Sequence, residues 1–171
     1  STRPSNAPPA NCARKHPWNQ HRPRRANRIY RQGRQVRQEQ RTKEPDAELD
    51  QLARGVIGAA IAVHKELGPG FPESVYAKAL EVELRQRRIS FEREYPVSVV
   101  YQGQLVGEGR ADFFIGGRLI VELKAVEKVL NIHLGQVIAY LKMVRQPLGL
   151  LLNFHVSKMK EGIHRVVYSP Q

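Results

Sequence analysis

The 171-residue chain predicts an α/β sandwich: one central mixed β-sheet flanked by helices over residues 46–171, preceded by a basic tail at 1–45. Three observations predict it. Apolar residues recur at helical spacing in 46–67, 72–88 and 132–144, with strand-like stretches between and after them. The resulting order is helix, helix, three strands, helix, two strands, which interleaves the two element types as layered α/β folds do. Finally, Leu148–Phe154 reads as an apolar run broken only at Asn153, as an interior strand covered on both faces requires.

The tail comes first. Residues 1–45 hold twelve Arg or Lys against two Glu, so +10 of the formal +12 lies there and the rest of the chain is nearly neutral. Pro4, Pro8, Pro9, Pro17 and Pro23 interrupt it and aliphatics are few. Too little apolar surface is available to offset the entropy of ordering it, so the tail is expected to be disordered. Arg22, Arg24, Arg25 and Arg28 are its candidate nucleic-acid contacts, able to follow a phosphate backbone, with Trp18 and Tyr30 to stack on bases. The competing reading is a solvated extension with incidental affinity for polyanions.

Cys12, in the tail, is the only cysteine. That excludes disulfides, thiolate zinc sites and iron–sulfur clusters built within the chain. No run reaches the length of a membrane span and no apolar signal core follows the N-terminus. The expectation is a soluble cytoplasmic protein without a membrane partner. A start at Ser1 rather than Met reads as a fragment or a processed product.

Asp46 is placed to cap a helix whose Leu49, Leu52, Ala53, Val56, Ile57, Ala60, Ile61 and Leu67 form one stripe. Gly68-Pro69 stops it. His64 is expected to be a boundary residue rather than a metal ligand. Pro72 suits the first turn of a second helix, whose buried stripe is Tyr76, Leu80 and Leu84. Glu73 lies one turn before Tyr76 and faces the same way. It serves either as negative charge against the helix dipole or as an acid turned toward the sheet.

In the first strand, Glu94–Tyr101, alternation puts Val97, Val99 and Tyr101 on one face. Gly107 and Gly109 in the next, Gln104–Ile115, predict a bulge or a close backbone approach ahead of Asp112. Two registers are open to the hairpin around Gly116-Gly117. A two-residue loop mixes Arg118 and Glu122 into the face of Phe113 and Ile115, which burial does not tolerate. A three-residue loop, Gly116-Gly117-Arg118, pairs Ile115 with Leu119, Phe113 with Val121 and Ala111 with Leu123. Asp112 then stands opposite Glu122, and Lys124 shares their side. That register is preferred, because only there do apolar and charged residues sort to separate faces. Two facing carboxylates repel unless a cation lies between them, and hard oxygen ligands suit Mg²⁺ or Mn²⁺. An exposed ion pair, Glu122 with Lys124 or Asp112 with Arg110, is the plainer alternative. The third strand is expected to end at Val126. Leu134, Val137, Ile138, Leu141 and Val144 should face inward on the last helix, where Gln136, Tyr140 and His133 share a flank. A short edge strand, Gly162–Tyr168, should end the fold.

Gly70-x-x-Glu73-x-x-Tyr76, following a helix that ends His64-Lys65-Glu66-Leu67-Gly68-Pro69-Gly70, resembles the signature of the GxxExxY protein family, within the PD-(D/E)XK nuclease superfamily. Asp112 followed by Glu122-Leu123-Lys124 is similar to that superfamily's D…ExK motif, with Ala111 where a proline often precedes the aspartate. Gln136-x-x-x-Tyr140 resembles the Q-x-x-x-Y element of RecB-like nucleases. The likeness covers about residues 47–168 and has no counterpart for the tail.

It implies a restriction-endonuclease-like sandwich and a Mg²⁺-dependent (or Mn²⁺-dependent) nuclease acting on DNA rather than RNA. Asp112, Glu122 and the Leu123 carbonyl would hold the metal, with Glu73 an outer ligand or an orienter of water. Lys124 would activate the water and stabilise charge on the phosphate, and Gln136 and Tyr140 would position the phosphate or Lys124. The products would be a 5′-phosphate and a free 3′-hydroxyl. Many superfamily members act as dimers, so a homodimer is a possible state. The alternative is a non-catalytic module of the same fold that binds nucleic acid or a protein partner, suggested by a folded part with little positive charge.

Overall fold

The structure, a computed structural model, describes residues 45–169. The tail reading, including Arg22, Arg24, Arg25 and Arg28, lies outside the described residues. Helix α1 (Ala47–Leu67) starts where the sequence places it: the Asp46 carboxylate accepts the Leu49 amide at 2.9 Å, satisfying one of the amides a helix start leaves open. Helix α2 (Glu73–Gln86) begins directly after Pro72. Strands β1 (Phe91–Tyr101), β2 (Gln104–Ile115) and β3 (Leu119–Lys124) follow, then α3 (Asn131–Val144), β4 (Leu148–Asn153), a 3₁₀ turn at Met159–Gly162 and β5 (Ile163–Val167).

The five strands form one mixed sheet in the order β1-β2-β3-β4-β5. Only β3 and β4 are parallel, which follows from α3 carrying the chain back across the sheet between them; the other neighbours are antiparallel. Alternation sends Phe113, Ile115, Val121, Leu123, Leu150 and Leu152 to one face, against Leu49, Ala53, Val56 and Ala60 of α1 and Tyr76, Leu80 and Leu84 of α2. The opposite face packs Phe114, Ile120 and Leu151 against Val137 and Leu141 of α3. Both faces of β3 and β4 are thus covered, and this is the expected α/β architecture of the restriction-endonuclease-like kind.

Some expectations shift. Ile138 and Ile61 are exposed rather than inward, because α3 and α1 each present a narrower stripe to the sheet than their apolar content allows. Tyr101 is 66% exposed: the β1–β2 ribbon runs past the end of β3, so its outer half has nothing to pack against. The predicted irregularity falls between Val99 and Val100, which pair with Gly107 and Leu105 and leave Val106 without an opposite number. His64 is buried, not at the boundary, and its Nε2 lies 2.8 Å from the Val156 carbonyl.

Candidate active site

The hairpin takes the three-residue loop. Gly116 and Gly117 both adopt positive φ, the Arg118 amide donates to the Ile115 carbonyl at 3.0 Å, and the ladder pairs Ile115 with Leu119, Phe114 with Ile120 and Phe113 with Val121. There it stops. The expected Asp112–Glu122 and Ala111–Leu123 backbone pairs do not form: the Leu123 amide, which that ladder would give to the Ala111 carbonyl, goes instead to Asp112 Oδ2 at 2.7 Å. The Asp112 amide faces Glu122 Oε2 at a long 3.5 Å. A residue's N–H and C=O leave a strand on the same edge, so the Leu123 carbonyl also points toward β2, into the gap beside Asp112.

Glu122 is only 3% exposed. Burial first, and the Asp112 carboxylate second, push its pKa up from 4.5 to about 7, against the pull of Lys124. Lys124 Nζ donates to Glu122 Oε1 at 3.2 Å. Glu122 and Lys124 therefore do form an ion pair, but an enclosed one beside a second carboxylate and not the exposed pair of the plainer reading. Arg110 turns away from Asp112 toward Glu94, at 3.9 Å.

Glu73 joins from the first turn of α2. Burial raises its pKa, the positive charge of Lys124 opposes that rise, Asp112 adds to it, and the Ala125 amide and His133 oppose it. Those influences place Glu73 beside the end of β3 and the start of α3. The G-x-x-E-x-x-Y pattern has a physical account here. Tyr76, fully buried and stacked on Phe154 at 4.4 Å between centroids, donates its hydroxyl to the Gly68 carbonyl at 2.7 Å and accepts the Phe71 amide at 3.1 Å. It pins the turn from which Glu73 emerges.

Gln136 Nε2 donates to the Tyr140 hydroxyl at 3.1 Å, and that hydroxyl receives the Arg110 amide at 3.4 Å. A Cβ on Gly109 would lie 2.7 Å from the Tyr140 ring, so the predicted close approach is that of α3 to β2. This pair grips β2 two to three residues before Asp112, and its hydrogen bonds go there and not to Lys124. Reasoning from the sequence missed Asn153, which is buried at the end of β4 and bonded to both backbone groups of Val126. The signal was present: one polar residue closing the apolar run Leu148–Leu152.

Among the described residues, no three His, Cys, Asp or Glu side chains gather closely enough to hold a metal by themselves. What the site offers is two carboxylates and a carbonyl, all hard oxygen donors, in a place where negative charge is under-compensated. That donor set fits a partly hydrated Mg²⁺ or Mn²⁺ and not a soft or tetrahedral metal. No helix among the described residues is long and apolar enough to cross a membrane.

No curated protein and no solved structure matches the chain. A family model does, over residues 50–166, and its description is the PD-(D/E)XK nuclease superfamily. The match runs from the first turn of α1 into β5 and so takes in every element that builds the site. The finer GxxExxY likeness stays a resemblance, but on the length of that match the chain belongs to the PD-(D/E)XK nuclease superfamily.

Proposed function

We propose that the protein is a Mg²⁺-dependent nuclease that hydrolyses phosphodiester bonds in DNA. The observation that carries this reading is the enclosed Glu122 carboxylate, raised to about 7 beside Asp112, where the ladder opens to expose Asp112 and the Leu123 edge. A buried like-charge pair is costly in a protein that gains nothing from it. In this reading Asp112, Glu122 and the Leu123 carbonyl hold the cation, which when bound supplies Lewis acidity and a water acidic enough to attack phosphorus. Lys124 is released from Glu122 to face the phosphate, where its ammonium stabilises developing negative charge. Glu73, whose pKa burial raises, accepts a hydrogen bond from the attacking water and holds it in line. The water oxygen bonds to phosphorus and gives a proton to solvent as the bond to the 3′ oxygen breaks, and the leaving oxygen takes a proton from solvent, so the products are a 5′-phosphate and a 3′-hydroxyl. Gln136 and Tyr140 keep β2, and with it Asp112, in place.

The test is cleavage of single-stranded, duplex and branched DNA, and of RNA, by the full chain with Mg²⁺, Mn²⁺ or EDTA. Metal-dependent cleavage that Lys124→Ala abolishes, with the circular dichroism spectrum unchanged, is expected. Complete inertness toward all of these substrates refutes the reading. One observation favours a second reading, a non-catalytic nucleic-acid-binding module: residues 46–171 are nearly neutral while +10 sits in residues 1–45, so affinity can reside in the tail alone. Binding that survives Asp112→Ala and disappears with residues 1–45, without cleavage, would establish that module instead.

A further inference from the structure

We propose that Asn153 is a positioning residue of the site: its carboxamide fixes the exit of β3, and through it Lys124 and the Leu123 carbonyl. The inference rests on the metal-dependent reading above. Asn153 is 2% exposed at the end of a strand otherwise made of glycine and leucine. Leu150, Leu152 and Phe154 pack toward α1 and α2, whereas Leu151 packs toward α3. By alternation Asn153 shares the side of Leu151, which is also the side of Glu122 and Lys124.

In the parallel ladder its partner is Lys124 itself. The regular main-chain bonding ends just there, with the Phe154 amide donating to the Lys124 carbonyl at 2.8 Å. One step further on, the Asn153 side chain replaces it. Oδ1 accepts the Val126 amide at 3.0 Å and Nδ2 donates to the Val126 carbonyl at 2.8 Å. Oδ1 also takes the His155 amide at 3.3 Å.

The carboxamide therefore acts as one more peptide group of β4 and prolongs the ladder beyond Lys124. Between the two anchors, the Lys124 carbonyl and Val126, lies Ala125, whose amide acts on Glu73. The segment leading on to α3 and His133 starts from the same clamp. Freeing it lets the Leu123 carbonyl and the Lys124 ammonium drift, and displacements of about 1 Å in such a site cost on the order of a hundredfold in rate.

The experiment compares Asn153→Ala, Asn153→Asp and a remote core control, Leu49→Ala, with the unaltered full chain. Turnover and KM are measured on one DNA substrate at saturating Mg²⁺, Mg²⁺ affinity by titration calorimetry, and the folded fraction by thermal melting. Asn153→Ala is expected to lower kcat at least tenfold per folded molecule, to weaken Mg²⁺ binding severalfold and to leave KM within twofold. Asn153→Asp, which keeps the acceptor but sets a second oxygen against the Val126 carbonyl, should fall between; it decides the matter if the alanine variant does not fold. Leu49→Ala should lower stability with kcat per folded molecule unchanged. Asn153 variants with normal kcat and Mg²⁺ affinity, or with losses that Leu49→Ala reproduces, overturn the inference alone. An unaltered chain that neither cleaves nor binds Mg²⁺ overturns the functional reading, and the inference with it.

Discussion

Replacing Glu122 by Gln is expected to stabilise the metal-free protein at pH 8 and to leave it nearly unchanged at pH 5. In the unfolded chain Glu122 releases its proton near 4.5, whereas burial and Asp112 raise that point to about 7 in the folded state. Between those values the unfolded state sheds a proton that the folded state keeps. Folding stability then falls by about 1.4 kcal/mol per pH unit. The group's contribution is complete below 4.5 and gone above 7, a loss of about 3 kcal/mol by pH 8. Glutamine does not ionise, so the variant escapes that loss. The pull of Lys124 is already contained in that raised value, so the variant gains about 3 kcal/mol at pH 8. Urea unfolding in EDTA at pH 5, 6, 7 and 8 measures it. Mg²⁺ added at pH 8 should stabilise the unaltered chain and not the variant, since a ligand stabilises only the state that binds it. A difference that does not change with pH, or a variant less stable than the parent at pH 8, refutes the reasoning.

Other outcomes follow from the same geometry. Asp112→Asn keeps an oxygen for the Leu123 amide, so unfolding by urea should shift by no more than about 1 kcal/mol, while Mg²⁺ binding by calorimetry and cleavage are lost. Tyr76→Phe removes the hydroxyl that bonds Gly68 and Phe71. It should cost about 1–2 kcal/mol in urea unfolding and lower kcat by releasing Glu73, and a variant equal to the parent in both would argue against the pinned turn. Gly109→Ala puts a Cβ 2.7 Å from the Tyr140 ring, and overpacking of this kind costs about 1–3 kcal/mol. Combining it with Tyr140→Ala should recover part of that loss, a coupling that a double-mutant cycle reads directly.

The apolar patterns specified nearly all the elements because each helix and strand buries one face, and burial sorts residues by period. The hairpin register was legible for the same reason: only the three-residue loop separates Phe113 and Val121 from Glu122. What the patterns do not carry is where a ladder ends. Asp112 opposite Glu122 was inferred as a continuing backbone pair, yet the Asp112 carboxylate takes the Leu123 amide in place of the Ala111 carbonyl. Nothing in residue spacing announces such a substitution of side chain for backbone. The role of Asn153 escaped notice on the same ground, since it lies in reaching the Val126 backbone and not in any period. Tyr101 illustrates the converse failure: its alternation is genuine, but the ribbon outruns the core.

The opening at Asp112 is made on both of its neighbours at once. On the β3 side the ladder ends at Phe113–Val121. On the β1 side, Arg93 pairs with Phe113 and Tyr95 with Ala111, while the intervening Glu94–Asp112 level is skipped and Glu94 takes φ 50°. A left-handed glutamate within a strand costs about 1–2 kcal/mol, and interrupting the β2–β3 ladder after Phe113–Val121 gives up backbone hydrogen bonds as well. Those costs fall at one residue in a sheet that elsewhere pairs regularly from β1 to β5, with its only other irregularity out on the exposed ribbon. Packing takes part in the break, because Phe113 lies in the core under α1 and α2 and Ala111, two residues away, in the core under α3, so it also moves the strand's buried residues from one face of the sheet to the other. The break at Asp112 brings its carboxylate to the Leu123 amide and beside Glu122 while its neighbours stay buried, and a metal-binding carboxylate in the middle of a sheet needs that combination.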